Sequence, residues 1–234
     1  MTAAARGPRV AVIIPVFNER ESLPLVVGAI PAGAADEIVV VDNASTDGTA
    51  EIARGLPVRV VREDRRGYGS ACLAGVAALA SDPPEILVFL DGDFSDHPEE
   101  MPLLLEALAA GADLAIGSRV LGRRELGALL PQARLGNALA CLLIRLLYGH
   151  RYTDLGPFRA IRWSAYQGLR MKDVSFGWTC EMQVKALRRG LRVVEVPVSY
   201  RRRVGVSKIT GTVSGTLRAG AKILWTIARY GLRS

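Results

Sequence analysis

The sequence predicts an α/β fold with a mostly parallel central sheet covered by helices on both faces. Three observations carry that expectation. Continuous apolar runs recur at 10–14, 37–42, 58–62, 86–90 and 113–117; helix-type segments separate them; and carboxylates or turn residues stand where several runs end. Runs of this kind fit strands buried on both faces, and their alternation with helices fits parallel pairing. At 234 residues the chain is long enough for a sizeable core, and one domain spanning 1–234 is expected.

The formal net charge is +7 and the pI about 9.7. Lys172, Lys185, Lys208 and Lys222 are the only lysines, so the positive charge is almost entirely arginine. Arginine suits bidentate contact with phosphate and carboxylate, which makes anionic ligands, lipid phosphates or nucleic acid the candidate partners. Cys72, Cys141 and Cys180 are scattered and form no CxxC pair, so neither a disulfide framework nor a zinc site is indicated, and a reducing cytosol fits. The N-terminal residues lack the apolar centre of a signal peptide, and no apolar run of about 18 residues is present to span a bilayer.

The first strand, from Val10, stops near Pro15; Asn18, Glu19 and Ser22 then supply cap-type and acidic residues before a helix at 23–30. The second strand ends in Asp42, and a helix follows through Ala53. The loop between offers oxygens at Asn43, Ser45 and Asp47 but ends in Ala53 or Arg54 where a calcium loop needs Glu, so calcium is rejected and helix capping remains. After the third strand, Gly67 and Gly69 open an Ala-rich helix to Ala80. Cys72 stands where a dinucleotide fingerprint needs its third glycine, and the element follows the wrong strand for that cofactor. Arg65 and Arg66, before a helix N-terminus, either help hold phosphate or are solvated.

The fourth run, Ile86-Leu-Val-Phe-Leu, leads into Asp91-Gly-Asp93-Phe-Ser-Asp96-His-Pro. Ligands of open α/β sheets sit beyond the carboxyl ends of strands, and Mg²⁺ or Mn²⁺ is held by one or two carboxylates with water and phosphate oxygens. Taken alone, the same residues also fit a turn closing a strand. A helix from His97 to about Ala110 and a strand at 113–117 follow; Gly117 would allow close backbone approach, and Arg119 either edges the same crevice or is solvated.

The stretches Val12-Ile-Ile-Pro-Val-Phe-Asn-Glu19, Val39-Val-Val-Asp42-Asn-Ala-Ser-Thr-Asp47-Gly-Thr, Asp91-Gly-Asp93 and Gly117-Ser-Arg119 together resemble family 2 glycosyltransferases of the GT-A fold. Asp154-Leu-Gly-Pro-Phe-Arg159, Glu181, Val196-Pro-Val-Ser-Tyr-Arg201 and Gly205-Val-Ser-Lys208 are similar to the polyprenol-phosphate sugar transferase branch, and the resemblance covers nearly the whole chain. It implies that Pro15, Asn18, Glu19 and Asp42 hold the nucleoside, that Asp91 and Asp93 ligate Mg²⁺ or Mn²⁺ and the donor, and that Arg119 lies near the phosphates. Gly67, Arg203 and Lys208 belong to the same implied donor set. Asp96 or Ser95 would complete the metal shell; where related synthases read Asp-Ala-Asp-Leu-Gln-His-Pro this chain carries one more residue, which leaves the third ligand open between them. About 1–120 would form the nucleotide-sugar half and about 121–234 the acceptor half.

The implied reaction moves a hexose from a UDP- or GDP-sugar, with inversion, to a polyprenyl phosphate at the cytoplasmic membrane face. A hydroxyl acceptor on a soluble molecule would instead need a base, for which Glu181 is the candidate. A phosphate acceptor is already anionic. A nucleotidyltransferase would carry a Gly-rich basic loop after its first strand, and an RNA-binding module would interleave aromatics with basics; neither pattern is present, and no nucleic-acid partner is expected.

In the last third, Tyr200, Arg201, Arg202, Arg203, Ser207 and Lys208 gather donors for a phosphate, or form a solvated basic run. Beyond them Arg218, Lys222, Arg229 and Arg233 fall in one helical stripe opposite Val213, Leu217, Leu224, Ile227 and Ala228. Such a basic amphipathic helix either lies in a membrane interface or packs on the domain. The stretch 135–148 is nearly apolar all round, which suits a buried helix or one in contact with lipid tails.

Overall fold

The computed structural model describes residues 7–205, 220, 222, 224–227, 229 and 230. Its strands are β1 (Val10–Val16), β2 (Glu37–Asp42), β3 (Arg59–Arg62), β4 (Ile86–Phe89), β5 (Leu114–Ser118), β6 (Arg159–Arg162) and β7 (Val193–Pro197). Its helices are α1 (Leu23–Ala29), α2 (Thr49–Arg54), α3 (Tyr68–Ala78), α4 (Met101–Ala109), α5 (Pro131–Tyr148), α6 (Trp163–Leu169) and α7 (Trp178–Arg188), with a 3-10 turn at Pro98–Glu100 before α4. The described residues between 220 and 230 are helical.

The strands make one sheet in the order β3-β2-β1-β4-β6-β5-β7. All pairs are parallel except those of β6, which runs antiparallel to both β4 and β5. The expected mostly parallel sheet with helices on both faces is therefore present. The strand period explains the two layers. Ala11 and Ile13 of β1 face a cluster with Cys72 and Val76 of α3, Ile144 of α5 and Trp178 of α7. Val10, Val12 and Ile14 face the other cluster, with Leu23 and Val26 of α1 and Leu104 and Leu108 of α4. Each such buried side chain contributes roughly 1.5–3 kcal/mol of transfer free energy. A Cβ on Gly75 would come within 2.7 Å of Ile13 Cγ2, so that glycine lets α3 settle directly on β1.

Three elements were not expected from the sequence: β6, α6 and α7. Arg159-Ala-Ile-Arg162 has two apolar residues between arginines, as β3 has, but lacks the β-branched Val60-Val61 pair and the preceding Val58 that mark β3 as a strand. Its place in the sheet is set by the register of Phe89 with Arg159 and of Ile116 with Arg159. Arg159 is fully buried, and its guanidinium donates to the carbonyls of Thr179 (3.0 Å), Leu155 (3.4 Å) and Gly156.

The apolar stretch 135–148 lies within α5, which starts at Pro131 and ends on Gly149 (φ 72°), whose N–H donates to Arg145 O. Only one side of α5 is buried, through Ala140, Cys141 and Ile144. Leu135 and Leu146 remain 73% and 71% exposed. Among the described residues no helix is long and apolar enough to cross a membrane. Near the C-terminus, Ile227 is buried, Tyr148 Oη donates to Ile227 O at 2.8 Å, and Lys222 pairs with Asp173 at 2.8 Å. Lys222 and Arg229 both stand over the Trp225 ring. The other residues of the expected basic and apolar stripes, Val213, Leu217, Arg218, Ala228 and Arg233, lie outside the described residues.

Candidate active site

Parallel strands β1, β2 and β4 end at the same edge of the sheet, and the loops that leave them close around one cavity. Non-glycine residues with positive φ gather there: Asn18 (55°) after β1, Ala44 (59°) after β2 and Phe94 (61°) after β4. Left-handed backbone at a bulky residue such as Phe94 costs free energy and persists where surrounding structure enforces it, often beside a ligand. The cavity has a volume of about 300 Å³. Pro15, Phe17 and Glu19 line it from β1 and its exit, Asn43 from the β2 exit, Arg66, Gly67 and Tyr68 from the start of α3, and Asp91 to Asp93 from the β4 exit. Phe176 and Arg203 close it from the last third of the chain.

Side-chain hydrogen bonds hold these loops in place. Asn43 Nδ2 donates to the carbonyls of Glu63 and Arg65, and its Oδ1 accepts from Gly67 N at 2.8 Å. Asn18 Oδ1 accepts from Thr46 N, and Ser45 Oγ accepts from Asn18 N. Asn18 therefore ties the β1 and β2 exits together and is not among the lining residues. Gly67 (φ 142°) has a further constraint, because a Cβ there would lie 2.1 Å from Val174 O. The start of α3 is pressed against the segment before α7, and Ser70 N donates to Val174 O.

The carboxylates beyond β4 divide into satisfied and unsatisfied groups. Asp93 Oδ1 accepts from Ser95 N and Ser95 Oγ, and Oδ2 lies 3.1 Å from Arg203 Nη2. Asp91 Oδ1 and both oxygens of Asp96 are buried without a hydrogen-bond partner among the described residues. Burial, and then the neighbouring Asp93 carboxylate, push the Asp91 carboxyl up to about 7. Burial, then Asp91, push Asp96 well above the ordinary carboxylate range. Orphaned buried oxygens of this kind are costly and ask for a cation or a proton. A hard divalent ion would fit the orphaned oxygens of Asp91 and Asp96, with Asp93 beside them once Arg203 is drawn away. Among the described residues no group of three or more Asp, Glu, His or Cys side chains is placed to hold a metal ion by itself. Tyr68, which sequence reasoning missed, presses its ring edge-on to Trp178 and keeps its hydroxyl buried without a hydrogen-bond partner among the described residues, while burial and then Asp91 raise its pKa well above the ordinary tyrosine value.

Cations from the last third meet these carboxylates. Arg203 Nη2 bridges Asp93 Oδ2 and Glu19 Oε1, both at 3.1 Å. Its segment is strapped across the β4 exit by Val204 N to Asp93 O and Arg201 N to Ser95 O. Arg201 stacks on Phe94, and Arg66 stacks 3.6 Å above Phe17 at the opposite wall. Arg119 sits differently from the expected phosphate contact. Its Nε and Nη2 form a fork on the buried Asp154 carboxylate, both at 2.8 Å, and its backbone N–H donates to the same group. Asp154 is held in turn, with Glu195 accepting from its N–H and Gln183 donating to its carbonyl.

Asp42 and Glu181 sit less openly than the sequence suggests. Asp42 is almost fully buried, accepts from Ser45 N and pairs with Arg62, and its neighbour Asn43 lines the cavity. Glu181 is fully buried in α7 and does not line the cavity. Its carboxylate accepts from Lys172 N, Asp173 N and Tyr230 Oη and pairs with Lys185 at 2.6 Å. Burial acts to raise its pKa, but the bonds from Lys185, Tyr230 and the two backbone N–H groups outweigh it, leaving the carboxyl below the usual glutamate range. Lys208 lies outside the described residues.

Comparison with known proteins gives a consistent pattern. Residues 11–170 match the glycosyl transferase family 2 domain. An uncharacterised glycosyltransferase of Mycobacterium tuberculosis is 40% identical over 91% of this chain and 95% of its own length. Polyprenol monophosphomannose synthase of Mycolicibacterium smegmatis is 34% identical over 96% of this chain and 88% of its own length. Among solved structures, glucosyl-3-phosphoglycerate synthase from M. tuberculosis, in complex with Mn²⁺, UDP and phosphoglyceric acid, superposes with a TM-score of 0.78. It is 21% identical, and the match covers 97% of this chain and 79% of that one.

Proposed function

This chain belongs to glycosyl transferase family 2 and is a glycosyltransferase; from that premise we propose that it moves a hexose from a UDP- or GDP-sugar to a polyprenyl phosphate, inverting the anomeric centre. Asp91 and Asp93 hold Mg²⁺ or Mn²⁺ together with the donor diphosphate. The ion, when bound, neutralises the charge that develops on the leaving diphosphate. Pro15, Glu19, Asn43 and Gly67 bound the nucleoside space, and the Arg66 and Phe17 faces offer it a stacking wall.

The observation that carries the choice of acceptor is the state of the carboxylates. An attacking hydroxyl must lose its proton to a base, and Glu181 has its oxygens engaged by four partners. A phosphate acceptor needs no base and needs cations instead; Arg203 lines the cavity, and Arg201 and Arg202 adjoin it in the same segment. Arg203 leaves Asp93 and Glu19 for phosphate oxygens when the donor binds. The polyprenol-phosphate relative supports the same acceptor class. We infer action at the cytoplasmic face of a membrane with peripheral contact, the first half of the chain holding the donor and the second half the acceptor.

The test is to offer labelled UDP- and GDP-sugars with Mg²⁺ or Mn²⁺ to polyprenyl phosphate and, separately, to soluble acceptors that include phosphoglyceric acid. Label in an organic-extractable, acid-labile product is the expected result. Label confined to water-soluble products overturns the lipid-phosphate reading and leaves the donor reading standing.

A further inference from the structure

Helix α5 has two apolar faces, and only one of them is covered. Ala140, Cys141 and Ile144 pack on the core. On the opposite side Leu135, Leu139, Leu142 and Leu146 follow the i, i+4, i+7, i+11 spacing of a single stripe and are 73%, 44%, 48% and 71% exposed. Exposed leucines scattered singly need no explanation, but an aligned stripe on a helix of 18 residues, about 27 Å long, marks a contact surface. The loop ahead of the helix adds Leu126, 89% exposed.

Charge decides what the stripe meets. From 126 to 151 the chain contains no Asp or Glu, while Arg134 and Arg145 are exposed and, at roughly 100° per residue, lie together along one edge of the leucine stripe. In a symmetric pair of α5 helices these arginines would face one another with no carboxylate on the helix to match them. A surface that is apolar below and negatively charged at its rim matches the stripe: leucines enter the acyl boundary and arginine stems reach up to the headgroups. The same loop is tied to the catalytic strap, because Arg202 Nε donates to Leu126 O and Arg202 N to Glu125 Oε2.

We propose that the outward face of α5 is a docking surface for an anionic lipid bilayer, an inference that rests on the lipid-phosphate reading above for its role in catalysis. Docked in this way, the loop carrying Leu126 and the arginine strap lie at the membrane, where a phosphate on a membrane-embedded chain is presented.

The test is co-sedimentation of the full chain with phosphatidylcholine vesicles, with and without about one-third phosphatidylglycerol. The wild type pellets with the anionic vesicles and is released by high salt. A triple variant, Leu135→Gln, Leu139→Gln and Leu146→Gln, is expected to lose at least tenfold in vesicle affinity with an unchanged circular dichroism spectrum. Arg134→Gln and Arg145→Gln are each expected to cost about fivefold on anionic vesicles. Equal pelleting of the leucine variant and the wild type overturns the proposal, as does a wild-type dimer that the leucine variant dissociates. Transfer to a short, water-soluble prenyl phosphate reports separately. It stays at the wild-type rate in the leucine variant, and its failure in the wild type counts against the acceptor reading and not against the docking face.

Discussion

The β4 exit and the buried end of α7 each hold acidic side chains removed from water, and they treat them in opposite ways. At α7, Glu181 has a partner for each oxygen: two backbone N–H groups, a tyrosine hydroxyl and a lysine. At the β4 exit, Asp91 and Asp96 leave three buried oxygens with no hydrogen-bond partner among the described residues, while Asp93 is held by Ser95 on one oxygen and by Arg203 on the other. A saturated carboxylate has nothing left to offer a ligand. An unsaturated one is destabilising until something arrives, so its free energy is spent on binding.

The largest effect should fall on the unsaturated side. Asp93→Ala is expected to lower sugar transfer by about a thousandfold, the scale of losing a group that stabilises developing charge, while the melting temperature changes little. Full turnover of the wild type in excess chelator would break the comparison at its root. Glu181→Gln should do the reverse, costing about 3 kcal/mol of stability by leaving Lys185 with a lost buried partner, with turnover per folded molecule retained. Chemical denaturation paired with active-site titration separates the two outcomes, and a folded but inactive Glu181→Gln would restore a catalytic role.

Arg203→Gln is expected to have an intermediate effect. It should raise the KM for the sugar nucleotide by about tenfold to a hundredfold, as loss of a charge-assisted contact does, and should tighten binding of Mn²⁺ alone because Asp93 Oδ2 is released. Weaker metal binding in this variant would count against competition between arginine and metal for Asp93.

The smallest effect is on pH dependence. The folded-state Glu181 carboxyl is held below its ordinary value, so its contribution to stability is fully present above the unfolded value and is lost as pH falls through the folded one. Stability should therefore decline on acidification below the usual glutamate range, about 4.3. Glu181→Gln should flatten that part of the curve, and a superimposable acid limb in both proteins would show that other groups set it.

How far the sequence discloses this arrangement depends on how local the determining contacts are. The strands at 10–16, 37–42, 86–89 and 114–118 are legible because their apolar runs need no knowledge of their neighbours. Asp91 and Asp93 are legible because a strand end fixes where they point. Glu181 misleads because only Lys185, one helical turn on, is a local partner; the others, Lys172, Asp173 and Tyr230, lie up to 49 residues away. Asp154 hides its hold on Arg119 for the same reason, over 35 residues. β6 is illegible because its place is set by pairing with β4 and β5, and Arg159 is buried in part on the Thr179 carbonyl, 20 residues away.

The position of β6 also bears on how the molecule comes off the ribosome. β4 is complete at residue 89 and β5 at 118, yet the strand that joins them spans Arg159–Arg162. Until that segment emerges, the nascent chain carries an open edge along Ile86–Phe89, four residues that are all buried in the finished sheet. Open apolar edges pair with other chains, and a sheet closed by so late a segment forms slowly. The first 120 residues, although they carry most of the donor cavity, should therefore be made as an aggregation-prone fragment when expressed alone, and soluble yield should rise only once the fragment extends past residue 162 and can seat β6.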